Sequence, residues 1–154
     1  MAASDIPLKT ALQSVDPAKR LMGLDLGSKT IGVATSDLTR QIATAKETIA
    51  RTKFTEDAAH LLDIAARENI GLIVLGFPIN MDATEGPRAQ STRAFARNLA
   101  RLTPIPIAFW DERLSTAAVE RMLIQADTSR RRRDDVIDKL AAAWLLQAAL
   151  DSLR

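Results

Sequence analysis

The sequence predicts an α/β domain, and three observations lead to that fold class. Four apolar runs and one alternating segment have the length of β-strands, and other stretches carry apolar residues at helical spacing. The 154 residues suit one domain, and the 47% hydrophobic and 26% charged residues are the balance of a globular protein. We expect the order βββ, α, β, α, β, α, α in a single domain over 20–154. A flexible extension, 1–19, precedes it, with a short helical piece at 8–15.

The first three strands are predicted by two neighbouring apolar runs and one alternating segment. The runs "RLMGLDLG" and "TIGVATSD" are separated by "GSK", which predicts a β-hairpin with Gly27 in its turn. The segment "RQIATAKETIAR" alternates apolar and polar residues, as a half-buried third strand does.

The remaining elements follow from apolar spacing, caps and proline. "FTEDAAHLLDIAARE" predicts a helix capped by Thr55, and "IGLIVLGF" is apolar throughout, as a strand buried on both faces is. The other predicted elements are a helix from Pro87 to about Leu102, a strand in "IPIAFW", a helix from Ser115 or Thr116 to about Ala126, a loop in "ADTSRRRRDD" and a helix over 135–152.

Composition excludes several classes of protein. The longest apolar run, "IGLIVLGFPI", is about half the ~20 residues that span a bilayer, and the N-terminus lacks the pattern of a secretory signal. The chain has no cysteine for disulfides or thiolate metal sites, and its single histidine, His60, disfavours a histidine-based zinc site. We expect a cytoplasmic protein with no membrane partner.

Three acidic residues stand where an acid is locally unfavourable. Asp25 lies in the first strand, Glu112 directly follows the fifth, and Asp138 lies on the small-residue side of the last helix. A buried carboxylate without compensation costs several kcal/mol or keeps its proton. A divalent cation would compensate all three, because Mg²⁺ prefers carboxylate oxygens together with substrate phosphate and water. Two such ions, ~4 Å apart, can clamp a phosphodiester bond during its hydrolysis.

Each of these acids also has an ordinary structural interpretation. Asp25 could accept hydrogen bonds in a turn, Glu112 could pair with Arg113 or another arginine, and Asp138 could favour the positive end of its helix. Singly these interpretations are the more usual ones, and only the combination of three acids favours a metal site. Spacing alone leaves both interpretations open.

Basic residues accompany the acidic ones. Arginine supplies fifteen of the 21 basic residues, and guanidinium is the better bidentate partner for phosphate. The run Arg130–Arg133 immediately precedes the helix that carries Asp138, while Arg93, Arg97 and Arg101 recur at a spacing of four. Beside an acidic centre, such residues would hold a polyanion through its backbone phosphates.

Four segments, taken in order, resemble the motifs of the YqgF family. They are "GLDLGSKTIGVATSD", "IVLGFPINMDATEGP", "WDERLSTAAVERML" and "RRRRDDVIDKLAAAWLLQ", which extend over roughly 20–151. The resemblance implies a ribonuclease H-like fold: a five-stranded mixed sheet, its first three strands antiparallel, flanked by helices. The sequence departs from the family pattern at Phe77, where Leu is common, and at Ala83, where Gly is common. Ala83 is the more notable departure, since Gly tolerates a positive φ and Ala does not.

The resemblance also implies a nuclease. Its acidic centre, both catalytic and metal-binding, would be Asp25, Glu112 and Asp138, with two Mg²⁺ or Mn²⁺ ions completed by substrate phosphate. The residues expected to bind nucleic acid are Lys29, Arg113, Arg130, Arg131, Arg132 and Arg133. The expected function is metal-dependent endonucleolytic hydrolysis in structured nucleic acid, foremost the 5′-end processing of pre-16S ribosomal RNA in ribosome biogenesis.

Three alternatives stay open at this point. A Holliday junction resolvase in DNA recombination would need two symmetric active sites, so we expect a monomer or a homodimer according to substrate. A non-catalytic RNA-binding assembly factor would keep the fold without the chemistry. The hairpin "DLGSKTIGVA" also resembles the phosphate-binding loop of actin-like and sugar-kinase ATPases, but those enzymes close two such domains around nucleotide, and 154 residues supply one.

Overall fold

The computed structural model describes residues 7–80, 82–114 and 130–154. The strands are β1 Arg20–Leu26, β2 Thr30–Ser36, β3 Ala43–Ala50, β4 Ile70–Phe77 and β5 Ile107–Asp111. The helices are α1 Leu8–Leu12, α2 Phe54–Arg67, α3 Pro87–Ala100 and α4 Arg130–Asp151, with a short 3₁₀ helix at Glu112–Leu114. One sheet has the order β3-β2-β1-β4-β5. Its first three strands are antiparallel, and β1, β4 and β5 are parallel, which confirms the predicted mixed sheet.

The β1–β2 hairpin forms as predicted, and β3 begins later than predicted. The N–H of Gly27 donates to the carbonyl of Thr30 at 2.8 Å and closes the three-residue turn. The third strand begins at Ala43, because the Asp37 carboxylate accepts hydrogen bonds from the N–H groups of Gln41 and Ile42. These bonds hold the chain in a turn until strand pairing starts.

Helices cover both faces of the sheet. On one face α2 and α3 pack around Leu61 and Leu99, and on the other face α4 packs through Leu145 and Leu146. Strand β4 is buried along its whole length, as its continuous apolar run predicts. The carboxyl ends of the parallel strands β1, β4 and β5 meet at one edge, which is where polar side chains can collect.

Residues before β1 pack on the α4 side of the sheet. Leu8 in α1 and Val15 after it are buried. Val15 lies so close to β4 that a Cβ atom on Gly71 would be 2.7 Å from its Cγ1. Helix α1 is shorter than the helical piece predicted at 8–15, and the domain boundary at 19 and 20 stays a prediction.

Helix α2 begins earlier than its predicted cap. Its first residue is Phe54, with Lys53 in the N-cap position, so Thr55 lies inside the helix. The prediction of a Thr55 cap is wrong because Asp57 reaches back from the first turn. Its carboxylate accepts hydrogen bonds from the N–H and the hydroxyl of Thr52 and so anchors the chain that enters the helix.

The last helix begins at Arg130, so the prediction of a loop over the arginine run is wrong. Arginine is a good helix former, and neither glycine nor proline interrupts residues 130–151. Helix propensity outweighs the repulsion between neighbouring cations. The helix predicted between 115 and about 126 lies outside the described residues. Within the described parts of the chain, no helix is long and apolar enough to cross a bilayer.

Candidate active site

Two of the predicted catalytic acids meet at the carboxyl edge of the sheet. Asp25 is the next-to-last residue of β1, opposite Gly32 of β2, and Glu112 is the first residue after β5. The two carboxyl groups share a hydrogen bond. A hydrogen bond between two carboxyl groups forms only when one of them carries a proton, because two carboxylates have no proton to donate.

The pKa of Glu112 is raised to about 7. Burial is the main cause, followed by the negative charge of Asp25 and the hydrogen bond between the two groups. The Glu112 side chain is 15% exposed. A divalent cation can displace such a proton, because the cation binds the deprotonated carboxylates.

Gly76 in β4 makes room for Glu112. It lies opposite Trp110 of β5, and Trp110 is two residues before Glu112. The glutamate side chain therefore crosses β4 at a position that has no side chain. A Cβ atom there would also lie 2.4 Å from Cδ1 of Leu145 in α4. Gly76 is not among the site residues predicted from the sequence. Its signal is a glycine inside a fully apolar strand, which marks close approach of other atoms.

The neighbouring Asp111 holds Arg113, so the first arginine predicted as a partner of Glu112 is engaged elsewhere. Arg113 Nη2 donates to Asp111 Oδ2 at 2.7 Å, and its Nε lies 3.0 Å from both carboxylate oxygens. This contact lowers the pKa of Asp111. Arg113 therefore pairs with Asp111 and not with Glu112, and its binding of nucleic acid stays a prediction.

Arg88 is a cation near the acidic pair that the sequence analysis did not select. It lies in the first turn of α3, and its Nη2 is 4.0 Å from Oε2 of Glu112. Its charge opposes the upward shift of the Glu112 pKa. By contrast, Arg93 on the same helix pairs with Glu85 and stacks on Phe77, so it is not a free cation on a basic stripe.

The loop after β4 lies over the same edge of the sheet. It borders a cavity of about 300 Å³ that Asn80, Arg88, Glu112 and Arg113 also line. Ala83 in this loop has a φ of 70°, the left-handed conformation that Gly adopts more readily. Its N–H donates to the carbonyl of Asn80 at 2.8 Å. The alanine that departs from the family pattern at this position therefore holds a strained backbone conformation.

Asp138 lies in α4, and its side chain is outside the described part of the structure. By helical position it precedes Ala142 by four residues, and the Ala142 carbonyl oxygen would be 3.2 Å from a Cβ atom on Gly23 of β1. Helix α4 therefore packs over the strand that carries Asp25. The side chains of Arg130–Arg133 are also outside the described part. Lys29 is exposed in the β1–β2 turn.

The donor set suits a hard divalent cation. Asp25 and Glu112 offer only carboxylate oxygens, which Mg²⁺ and Mn²⁺ accept. Among the side chains that the structure describes, no group of three or more acidic or histidine residues could hold a metal ion. The described pair could supply two protein ligands of such a site, and Asp138 stays the predicted third.

Comparison with solved structures identifies the fold. RuvC of Thermus thermophilus in complex with Holliday junction substrate is 14% identical, with a TM-score of 0.54 over 88% of this chain and 96% of that chain. A second T. thermophilus RuvC structure is 13% identical, with a TM-score of 0.52 over 87% and 96% of the two chains. The fold is thus ribonuclease H-like, as the resemblance implies.

The fold and its sequence relatives define the class of protein as a nuclease of the ribonuclease H-like group. The sequence model described as "RuvX: Holliday junction resolvase" matches residues 19–152, and the chain belongs to this family, which is the YqgF family of the resemblance. A relative from Rhodopseudomonas palustris BisA53 is 61% identical over 99% of this chain and 94% of its own. One from Ruegeria pomeroyi is 61% identical over 92% of each. Both bear the name "Putative pre-16S rRNA nuclease".

Proposed function

We propose that this protein is a metal-dependent endonuclease that hydrolyses phosphodiester bonds in structured nucleic acid. The observation that carries the proposal is the contact between the Asp25 and Glu112 carboxyl groups. Two partly buried acids in contact with each other destabilise the fold unless a cation or a proton compensates them. Active sites are where such perturbed pairs are found most often.

Asp25, Glu112 and Asp138 would hold the metal, with substrate phosphate and water as its other ligands. Bound there, Mg²⁺ or Mn²⁺ ions would lower the pKa of the attacking water and neutralise charge on the leaving oxygen. The chain's own contribution is placement. Strand β1 fixes Asp25, the end of β5 fixes Glu112, and the missing side chain at Gly76 lets Glu112 lie over the sheet. Arg88 adds a positive charge that can face a phosphate oxygen.

The substrate we propose is precursor 16S ribosomal RNA, cut at or near its 5′ end. The names of relatives about 60% identical support this substrate. A chain without cysteine suits the reducing cytoplasm, where we place the reaction.

A four-way DNA junction is the second candidate substrate. The description of the matching family names a Holliday junction resolvase, and a solved structure with this fold is a junction complex. Symmetric cutting of a junction would require a homodimer, whereas RNA processing by a single site would not. A non-catalytic assembly factor would have no need of the Asp25–Glu112 pair, so the pair argues for catalysis.

One side-by-side cleavage assay tests both the reaction and its substrate. Labelled precursor rRNA and a synthetic four-way junction are incubated with the wild type and Mg²⁺ or Mn²⁺. We expect cleavage of the RNA and its loss in Asp25→Asn, which keeps the shape but removes the charge. The matched control is Asp63→Asn, which removes an exposed carboxylate from the i,i+4 pair with Arg67. Cleavage of the junction alone would assign the second substrate, and cleavage of neither by a folded wild type would contradict a nuclease.

A further inference from the structure

We propose that a groove beside the β1–β2 turn binds a flanking phosphate of the substrate strand, next to the phosphate that is cut. The proposal rests on the proposed nuclease function and adds a second anion subsite to it. The groove, here called the turn groove, has a volume of about 240 Å³. Its polar lining comes from Ser28 in the turn, Arg51 after β3, and Arg88 and Ser91 in α3.

The chemistry of the turn groove is that of an anion site. Two guanidinium groups and two exposed serine hydroxyls line it, and none of its described lining residues is acidic. Thr92 also lines it, but the Thr92 hydroxyl donates to the Arg88 carbonyl instead. Within the described part of the chain, Arg51 makes no ion pair. A phosphate would supply the counter-charge that Arg51 lacks.

Backbone carbonyls of one turn hold both arginines. Arg51 Nη1 donates to the Gly27 carbonyl at 2.7 Å, and Arg88 Nη2 donates to the Leu26 carbonyl at 3.4 Å. Each guanidinium has five N–H donors, so one such bond orients the group and leaves further donors for a ligand. The backbone N–H of Arg51 also donates to the Lys29 carbonyl at 2.9 Å, which ties the end of β3 to the turn.

Arg88 connects the turn groove to the acidic pair. It lines both the turn groove and the neighbouring cavity that contains Glu112. Its Nη2 is 4.0 Å from Glu112 Oε2. A strand whose scissile phosphate lies at Asp25 and Glu112 therefore has Arg88 beside it and the turn groove as the next positive surface. A flanking phosphate of the same strand is the anion that this arrangement fits.

The test neutralises phosphates one at a time. Precursor RNA carries a single uncharged 2′-deoxy methylphosphonate linkage at successive positions around the cut, with a 2′-deoxy phosphodiester at the same position as reference. Binding is measured with Ca²⁺ so that turnover is limited. For the wild type we expect a loss of about tenfold at one flanking position, the effect of one charged hydrogen-bonding contact. In Arg51→Gln and in Arg88→Gln, neutralising that position should have little further effect.

Three controls keep the result interpretable. Arg67→Gln removes an arginine at the end of α2, at the opposite end of β4, and should respond like the wild type. Arg51→Lys keeps the charge but not the planar fork, and should retain part of the effect. Circular dichroism checks that each variant is folded.

Several outcomes would overturn the proposal. An equal loss in wild type and variants at every flanking position would show that the turn groove contacts no phosphate. Displacement of the RNA by millimolar nucleoside triphosphate, lost in Arg51→Gln, would assign the groove to a free nucleotide instead. If the wild type binds and cuts RNA but shows no sensitive flanking position, only this subsite fails. If it binds no nucleic acid at all, the proposed function fails with it.

Discussion

A Cβ atom on Gly76 would lie 2.9 Å from Oε1 of Glu112, closer than real side chains approach. The glycine therefore decides where the glutamate carboxyl lies relative to Asp25. This relationship connects a residue with no functional group to the geometry of the acidic pair.

Replacing Gly76 by alanine should lower the cleavage rate more than it lowers the stability of the fold. Gly76→Ala would push Glu112 away from Asp25 and would also press on Leu145, which we expect to cost roughly 1 to 3 kcal/mol. The control is Gly71→Ala in the same strand, where a Cβ atom meets Val15 and Lys19 at the other end of the sheet. We expect similar melting temperatures for the two variants but a cleavage rate at least tenfold lower for Gly76→Ala. Equal cleavage rates per folded molecule in the two variants would show that Gly76 does not position the active site.

The metal-free protein should lose stability as pH rises from about 4.5 to 7. The Glu112 carboxyl has its pKa raised from 4.5 to about 7, so in this range the folded state keeps a proton that the unfolded chain releases. By linkage, the free energy of unfolding falls by roughly 3 kcal/mol across this range and stays low above pH 7.

Glu112→Gln should remove this pH dependence. Urea unfolding between pH 4.5 and 8 in a chelator measures it. Glu85→Gln is the matched control, because contact with Arg93 lowers the pKa of Glu85 and its titration falls below this range. A wild-type stability that stays constant or rises from pH 5 to 7 would contradict the predicted coupling.

Ala83→Gly should stabilise the protein slightly. Ala83 has a φ of 70°, which costs an alanine roughly 1 to 2 kcal/mol and a glycine nothing, while glycine makes the unfolded chain more flexible. The net gain should be about 0.5 kcal/mol. Ala66→Gly, at an exposed position in α2, should instead destabilise by roughly 0.5 to 1 kcal/mol. Thermal melting measures the stability of both variants. Destabilisation by Ala83→Gly would show that the backbone at Ala83 is not strained.

The arginine run should strengthen binding to any nucleic acid. We expect Arg130–Arg133 to contact backbone phosphates from the first turn of α4, so replacing all four by Gln should weaken binding to RNA and DNA alike. Each contact adds roughly 0.7 to 0.9 to the slope of log affinity against log salt, and the variant should flatten that slope by about one to three units. A salt titration with Ca²⁺ measures the slope, and a wild-type slope in the variant would show that these arginines touch no phosphate.

The fold could be predicted because its elements carry local signals. A continuous apolar run marks β4, and two runs with a glycine between them mark the β1–β2 hairpin. The loop predicted over the arginine run is wrong because the charge of the run indicates a solvated loop, whereas the helix propensity of arginine decides its structure.

The site could be predicted only in part. Asp25 is conspicuous because an acid in an apolar strand needs compensation, and Glu112 because it directly follows a strand. Arg88 has no such local signal, and the glycine at 76 indicates a close approach without showing which atoms approach. Their roles depend on strand register and on where α3 begins, which only the packed structure shows.

The central claim is that three acids hold divalent metal for phosphodiester hydrolysis, and Asp138 is its decisive member. The most direct measurement is the single-turnover cleavage rate of precursor rRNA, titrated with Mn²⁺, for the wild type, Asp138→Asn and Asp151→Asn. Asp151 lies at the end of the same helix and pairs with Arg154, so its variant controls for loss of charge from α4. We predict that the wild type and Asp151→Asn saturate alike and that Asp138→Asn is at least a hundredfold slower at every Mn²⁺ concentration. Near wild-type cleavage by Asp138→Asn, or wild-type cleavage that persists in a chelator, would contradict the account.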